Sequence, residues 1–314
     1  MKTTPLSPGD LRASVIAVPP LALDDDLGIA LEQCRKLVAH IEAGGVSSIL
    51  WGGNAQIQHW PPSRYAELLS MAEATAGAKT WVLPAVGPDY GKLMDEAAVL
   101  RGTRFPCAMA LPIPAHHTPD GVVTAFRAFV QRAGMPLVAY IRSEGYLRPD
   151  DLAAMLGRGE IVAVKYAALR PDLTDDPYLA ALCAALGRER IASGSGELVA
   201  VPHLESFGLA GFTAGCVCLA PRLATAVLDG LKGHNRAAVA RALEAIRPLE
   251  LLRERINPIR VLHDAVTISG IADMGPILPM LSPTGPAERK EIAAAVAVLM
   301  AAEAELARSR RAAE

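Results

Sequence analysis

A chain of 314 residues, 51% of them hydrophobic, has enough apolar side chain for a large buried core, either one α/β barrel or two ordinary domains. Disorder and repeat-only architectures are excluded on the same ground. The 31 Lys and Arg against 33 Asp and Glu leave a net charge of −2, so there is no basic field for a polyphosphate backbone and nucleic acid is not an expected partner.

In chain order, the first strand-like run is Ser14–Val18. The run Asp24-Asp25-Asp26 reads as a favourably charged helix N-terminus, opening a helix over Asp26–Glu42. Leu27, Leu31, Cys34, Leu37, Val38 and Ile41 fall on one face of it, and Gly44-Gly45 ends it. Ser47–Trp51 is the second strand, stopped by Gly52-Gly53 and followed by a helical pattern from Pro61-Pro62. Further strands are predicted at Thr80–Pro84, Cys107–Leu111, Leu137–Ile141, Ile161–Lys165, Arg190–Ala192 and Phe212–Gly215. Amphipathic stretches lie between them. One is Asp120–Ala133, with Thr118 as N-cap, Pro119 in the first turn and Gly134 beyond the end.

Strands that alternate with helices imply a parallel sheet, because each crossover must return the chain to the same edge. Eight of them favour an α/β fold closed as a (β/α)8 TIM barrel, and no G-x-G-x-x-G follows the first strand to suggest an open dinucleotide-binding sheet. After Pro221 only helical patterns continue, so residues 1–232 are read as the barrel and 233–314 as a C-terminal helical extension packed on it. Its Leu- and Ala-rich faces between Ala237 and Leu306 are expected to bury against the barrel or another subunit. The longest apolar run, Ile292 to Ala302, is too short to span a bilayer and is closed by Glu303. The start, MKTTPLSPGD, has no apolar signal region, so a cytoplasmic protein without membrane contact is expected.

Seven lysines occur, and Lys165 differs from the rest: it ends Ile161-Val162-Ala163-Val164 and precedes Tyr166-Ala167-Ala168-Leu169. An ammonium held in so much apolar surface is costly, so its neutral, nucleophilic form becomes accessible, as imine formation with a ketone requires. A lysine that snorkels to water or pairs with a carboxylate has the same local sequence. Tyr140 ends the preceding strand and shares the C-terminal rim of a barrel with Lys165, where a phenol could pass protons; a structural tyrosine would sit there equally well. Gly52-Gly53-Asn54-Ala55-Gln56 and Ser193-Gly194-Ser195-Gly196-Glu197 are rim loops whose backbone could approach a ligand, or simple turns.

Other groups carry less. His116-His117 reads as a solvated loop, since no second cluster at ligand spacing accompanies it, and no metal site is expected. Five cysteines, an odd number without C-x-x-C spacing, read as reduced core residues, with Cys216 and Cys218 on one face of strand eight. No G-x-S-x-G is present.

Taken together, these residues resemble the dihydrodipicolinate synthase / N-acetylneuraminate lyase family of Schiff-base-forming class I aldolases, over roughly residues 10 to 300. Tyr140 matches the family's strand-five tyrosine, and Lys165 its Schiff-base lysine in I-x-G-x-K. Gly52–Gln56 falls on the G-T-T-G-E loop, Ser195-Gly196-Glu197 on the S-G-D segment and Asn257-Pro258 on the N-P segment. The resemblance implies catalysis by Lys165 and Tyr140 on pyruvate or a related 2-oxo acid, without cofactor, in a homotetramer or homodimer. It implies substrate binding by Gly52, Gly53, Asn54, Arg142, Ser195 and Gly196. Departures point away from a lysine-pathway synthase: Gly53 and Asn54 replace the loop threonines, Ile113-Pro114 replaces a tyrosine pair, and Gly145 stands where a carboxylate-binding arginine belongs, with Arg142 nearby. Arg142, Glu144 and Tyr146 are then the candidates for reading the rest of the substrate. A catalytically silent 2-oxo acid binding protein is the alternative; a metal-dependent barrel enzyme has no ligand cluster to support it.

Overall fold

Runs such as Ser48–Trp51, buried at every position, mark strands covered on both faces, which parallel sheets require. The computed structural model describes residues 1–311. Its eight strands are β1 (Ile16–Ala17), β2 (Ser48–Trp51), β3 (Trp81–Val86), β4 (Ala108–Ala110), β5 (Leu137–Ile141), β6 (Ile161–Tyr166), β7 (Ile191–Ser193) and β8 (Gly211–Ala214). All neighbours are parallel, they follow chain order, and β8 pairs with β1, so the sheet closes into a TIM barrel.

Helix α1 (Pro8–Ala13) precedes β1. The crossovers are α2 (Leu31–Ala43), α3 (Tyr65–Thr75), α4 (Tyr90–Leu100), α5 (Pro119–Ala133), α6 (Pro149–Gly157), α7 (Pro177–Leu186) and α8 (Glu197–Phe207), with α9 (Pro221–Lys232) after β8. Inside the barrel, Ile16, Leu50, Trp81, Leu83, Met109, Val138, Ala163, Ala192 and Thr213 leave a gap of only about 10 Å³, enough for one water at most. A filled interior confines chemistry to the ends.

Three more helices complete the described chain: α10 (Arg236–Arg255), α11 (Pro258–Ser269) and α12 (Pro286–Arg311). Val239, Ile246 and Leu249 of α10, Leu262 and Val266 of α11, and Ile292 and Leu299 of α12 join one core that continues into the barrel. Residues 312–314 of the expected extension lie outside the described residues. Helix α9 has Ala220 at its N-cap and no capping side chain of its own. Glu303, only 3% exposed, reaches across from α12 and accepts the N–H groups of Arg222 and Leu223, each at 3.0 Å. The residue that closes the apolar run is thus a cap supplied from a distance. Among the described residues, no helix is long and apolar enough to cross a membrane.

Two expectations are corrected. The first crossover helix begins at Leu31, not Asp26, because Asp24 Oδ1 accepts the N–H groups of Asp26 at 3.1 Å and Gly28 at 2.7 Å, and Leu27 turns to φ 59°. The acidic run therefore builds a turn. Leu31 is 41% exposed, while Cys34, Leu37, Val38 and Ile41 form the buried face. Cys216 and Cys218 lie in a 3-10 turn after β8 rather than on the strand, and both are buried. Thr118, Pro119 and Gly134 bound α5 as expected: the Thr118 hydroxyl accepts Gly121 N–H, and Gly134 is left-handed at φ 73°.

Candidate active site

The pairing of β5 with β6 starts at Leu137↔Ile161 and then slips by one, so that Val138 faces Ala163 and Tyr140 faces Lys165. One residue of β6, Val162, is extra. Such a bulge changes the side that every later side chain takes relative to its partner strand. In an unbroken register Tyr140 would oppose Val164; the slip instead puts the phenol ring and the amine side by side on the inward face, at the C-terminal rim.

Lys165 Nζ stands 3.5 Å from the centroid of the Tyr140 ring, and the lysine is only 7% exposed. A cation over an aromatic face is held by the ring quadrupole. Its other electrostatic neighbour is Arg142, and among the described residues no carboxylate pairs with the amine. Burial pushes the Lys165 ammonium below the ordinary lysine range; the Tyr140 phenol pulls it partly back, and Arg142 pushes it down again. For Tyr140, burial alone would raise the phenol, but the adjacent Lys165 charge outweighs it, with help from Arg142, and the net direction is down. A base whose proton is loosened thus lies against an acid whose proton is also loosened, which eases transfer between them. Neither bland reading of Lys165 fits this geometry, since the side chain neither snorkels to water nor meets an acid.

The stem of the lysine is fixed from β7. A Cβ added at Gly194 would lie 2.8 Å from the Tyr166 carbonyl oxygen, 2.9 Å from Ala167 Cβ and 3.0 Å from Lys165 Cγ. Only glycine permits that approach. Among the rim loops, Ser195 is half-buried, and Gly196, with φ 85°, donates its N–H to the Thr213 carbonyl at 3.1 Å.

On β2 the rim differs. Gly53-Asn54-Ala55 forms a 3-10 turn, and Asn54 Nδ2 donates to the Val18 carbonyl at 2.7 Å, which ties its amide to the barrel wall. A Cβ at Gly53 would meet nothing within 4 Å, whereas one at Gly52 would press on Leu50 and Met109. After β5, Arg142 is exposed, Glu144 pairs with Arg170, and Tyr146 is buried with its hydroxyl accepting Ile113 N–H at 3.4 Å. Of those three, Arg142 is left available to a ligand. Asn257 is a helix cap, its side-chain oxygen accepting the N–H groups of Ile259 and Arg260. His117 is not solvated but half-buried, its ring 4.9 Å from that of Tyr146; His116 is exposed.

The bulge at Val162 and the close approach of Gly194 escaped the sequence reading. Gly194 had a signal, a glycine directly after a strand beside the lysine strand, but the bulge had none.

No family model and no curated protein sequence matches the chain. Solved structures do. Dihydrodipicolinate synthase from Bacillus clausii is 20% identical, covering 91% of this chain and 97% of that one, with a TM-score of 0.80. Sialic acid aldolase from Ruminococcus gnavus is 16% identical over 94% of this chain and 99% of that one, with a TM-score of 0.82. A catalytic lysine mutant of the Ruminococcus gnavus enzyme gives 15% identity, 95% and 98% coverage, and a TM-score of 0.80. At these identities the likeness concerns the fold.

Proposed function

We propose that the chain is a Schiff-base-forming lyase or synthase of the dihydrodipicolinate synthase / N-acetylneuraminate lyase family, acting on pyruvate or a related 2-oxo acid. The observation that carries this is the register-matched pair, with Lys165 Nζ 3.5 Å from the Tyr140 ring centroid and no acid beside it. The neutral amine attacks the keto carbon, Tyr140 delivers a proton to the departing hydroxyl, and water leaves as the iminium forms. The iminium then takes up the electron pair of a breaking carbon–carbon bond, or that of a carbon–hydrogen bond beside it, after which the enamine expels a hydroxyl group as water. Gly52, Gly53 and Ser195 offer backbone N–H groups to the carboxylate end, with open space at Gly53; Gly196 shapes its loop, since its N–H is held by the Thr213 carbonyl, and Arg142 reads the far end. Asn54 contributes by shaping the loop, since its amide is engaged by Val18. That structures of this fold include an aldolase with a catalytic lysine adds support.

The test is borohydride reduction with pyruvate, followed by mass spectrometry. An adduct on the Lys165 peptide, absent in Lys165→Arg, is expected; an unmodified Lys165 peptide would reject the proposal. A homotetramer or homodimer in the cytoplasm belongs to the same reading, and a monomer by light scattering would count against the assembly.

A second reading, a silent 2-oxo acid binder, is favoured by the β2 rim, where Gly53 carries no hydroxyl. Lysine-dependent turnover in a screen of pyruvate-releasing substrates would reject it.

A further inference from the structure

A second polar cluster lies where the first turn of α8, the turn after β8 and the middle of α10 meet. Glu197, Cys216 and Glu250 converge there, their donor atoms all within 4.8 Å of one another, and all three are buried. The Cys216 thiol donates to Glu250 Oε1 at 3.0 Å, and Arg253 closes the far side as an ion pair with Glu250. Glu197 is 0% exposed, and neither of its carboxylate oxygens makes a hydrogen bond of ordinary geometry; the N–H groups of Val217 and of Glu197 itself only lean toward it. The backbone is drawn in tightly, since a Cβ at Gly196 would lie 2.7 Å from Glu250 Oε2 and one at Gly215 2.5 Å from the Arg253 guanidinium.

We propose that Glu197, Cys216 and Glu250 form a buried structural site for one divalent transition-metal ion of the zinc type. A carboxylate sealed from water without a partner is costly, and an ion is one of the few groups that satisfies it. The charges agree: a thiolate and two carboxylates, set against Arg253 and a divalent ion, sum to zero. One sulfur with carboxylate oxygens suits zinc, for which bond lengths of about 2.3 Å to sulfur and 2.0–2.2 Å to oxygen place ligand atoms roughly 3.5 Å apart. The 3.0 Å separation of Cys216 and Glu250 and the 4.8 Å outer limit bracket that value. The ion would clamp two barrel loops to the helical extension and takes no part in the chemistry at Lys165.

The full chain, stripped with a chelator and given zinc, is expected to retain one zinc per chain after desalting. Cobalt in its place is expected to give a sulfur-to-metal charge-transfer band. Cys216→Ser should lose that band, Glu197→Gln should keep it with affinity weakened at least about tenfold, and Lys165→Ala should bind zinc as the wild type does. The proposal is overturned if the wild-type chain shows no charge-transfer band, or if Cys216→Ser retains zinc equally well. Both wild-type readouts decide the matter even if a cluster variant fails to fold.

Discussion

The two halves of the barrel rim are built unequally. On β5 and β6, a buried lysine and a half-buried tyrosine are register-matched and electrostatically coupled, and a glycine on the neighbouring loop fixes the lysine stem. On β2 the matching loop has an open position at Gly53 and an amide already bonded to Val18. The half that would form a covalent link is complete, and the half that would pass protons along has no hydroxyl. Imine formation and the later proton transfers are therefore separable here, and variants on the two halves should fail in different ways.

The largest effect is expected at Lys165. Replacement by Ala should abolish borohydride trapping of pyruvate and all turnover, because it removes the amine beside the Tyr140 ring, while the barrel persists by circular dichroism. In the wild type, trapping should quicken as pH rises, since only the neutral amine attacks. It should level off at a pH below 10.5, because burial disfavours the ammonium.

Tyr140→Phe comes next and divides the chemistry. It keeps the ring under the amine but removes the proton donor for the departing hydroxyl, so trapping should slow without being abolished, while turnover on a productive substrate should fall by roughly 10²–10⁴. The phenol raises the lysine's proton affinity, so its loss should also move the trapping profile toward lower pH. A profile that stays in place would show that the two groups are not coupled.

How far the sequence disclosed this contrast depends on the range of the forces involved. Strand identity was legible because most strands are short, largely apolar runs, and Tyr140 with Lys165 because polar groups at the ends of such runs need a reason to be there. The registration of the pair was not, since it depends on one extra residue in β6 whose side chain is as apolar as its neighbours. Local turn chemistry misled at Asp24, where a carboxylate that accepts the N–H groups two and four residues on to close a turn is indistinguishable in sequence from one that caps a helix. Contacts across long separations stayed hidden for the same reason: nothing around Glu303 says that it caps α9, and nothing around Glu197 says that Glu250 and Cys216 surround it.

Gly194→Ala should give a smaller loss than substitution of Lys165 or Tyr140. The added methyl meets a carbonyl oxygen and a neighbouring Cβ that cannot swing aside, so the β6–β7 backbone must shift and carry Lys165 with it. A cost of about 1–3 kcal/mol in thermal unfolding is expected, together with slower trapping. Unchanged trapping in a folded variant would mean that the lysine is positioned by the Tyr140 ring alone.

Gly53→Thr is the gentlest change and bears on the weaker half. A Cβ there meets nothing within 4 Å, so the variant should fold with stability altered by less than about 0.5 kcal/mol. It adds one hydroxyl to a loop that has none near the rim pair, without disturbing the Asn54 bond to Val18. If missing proton transfer limits the enzyme, turnover should rise several-fold while trapping of pyruvate at Lys165 stays as it was. If turnover falls instead, the open position belongs to the substrate, and the two halves differ because this rim binds a bulkier 2-oxo acid where a threonine would stand.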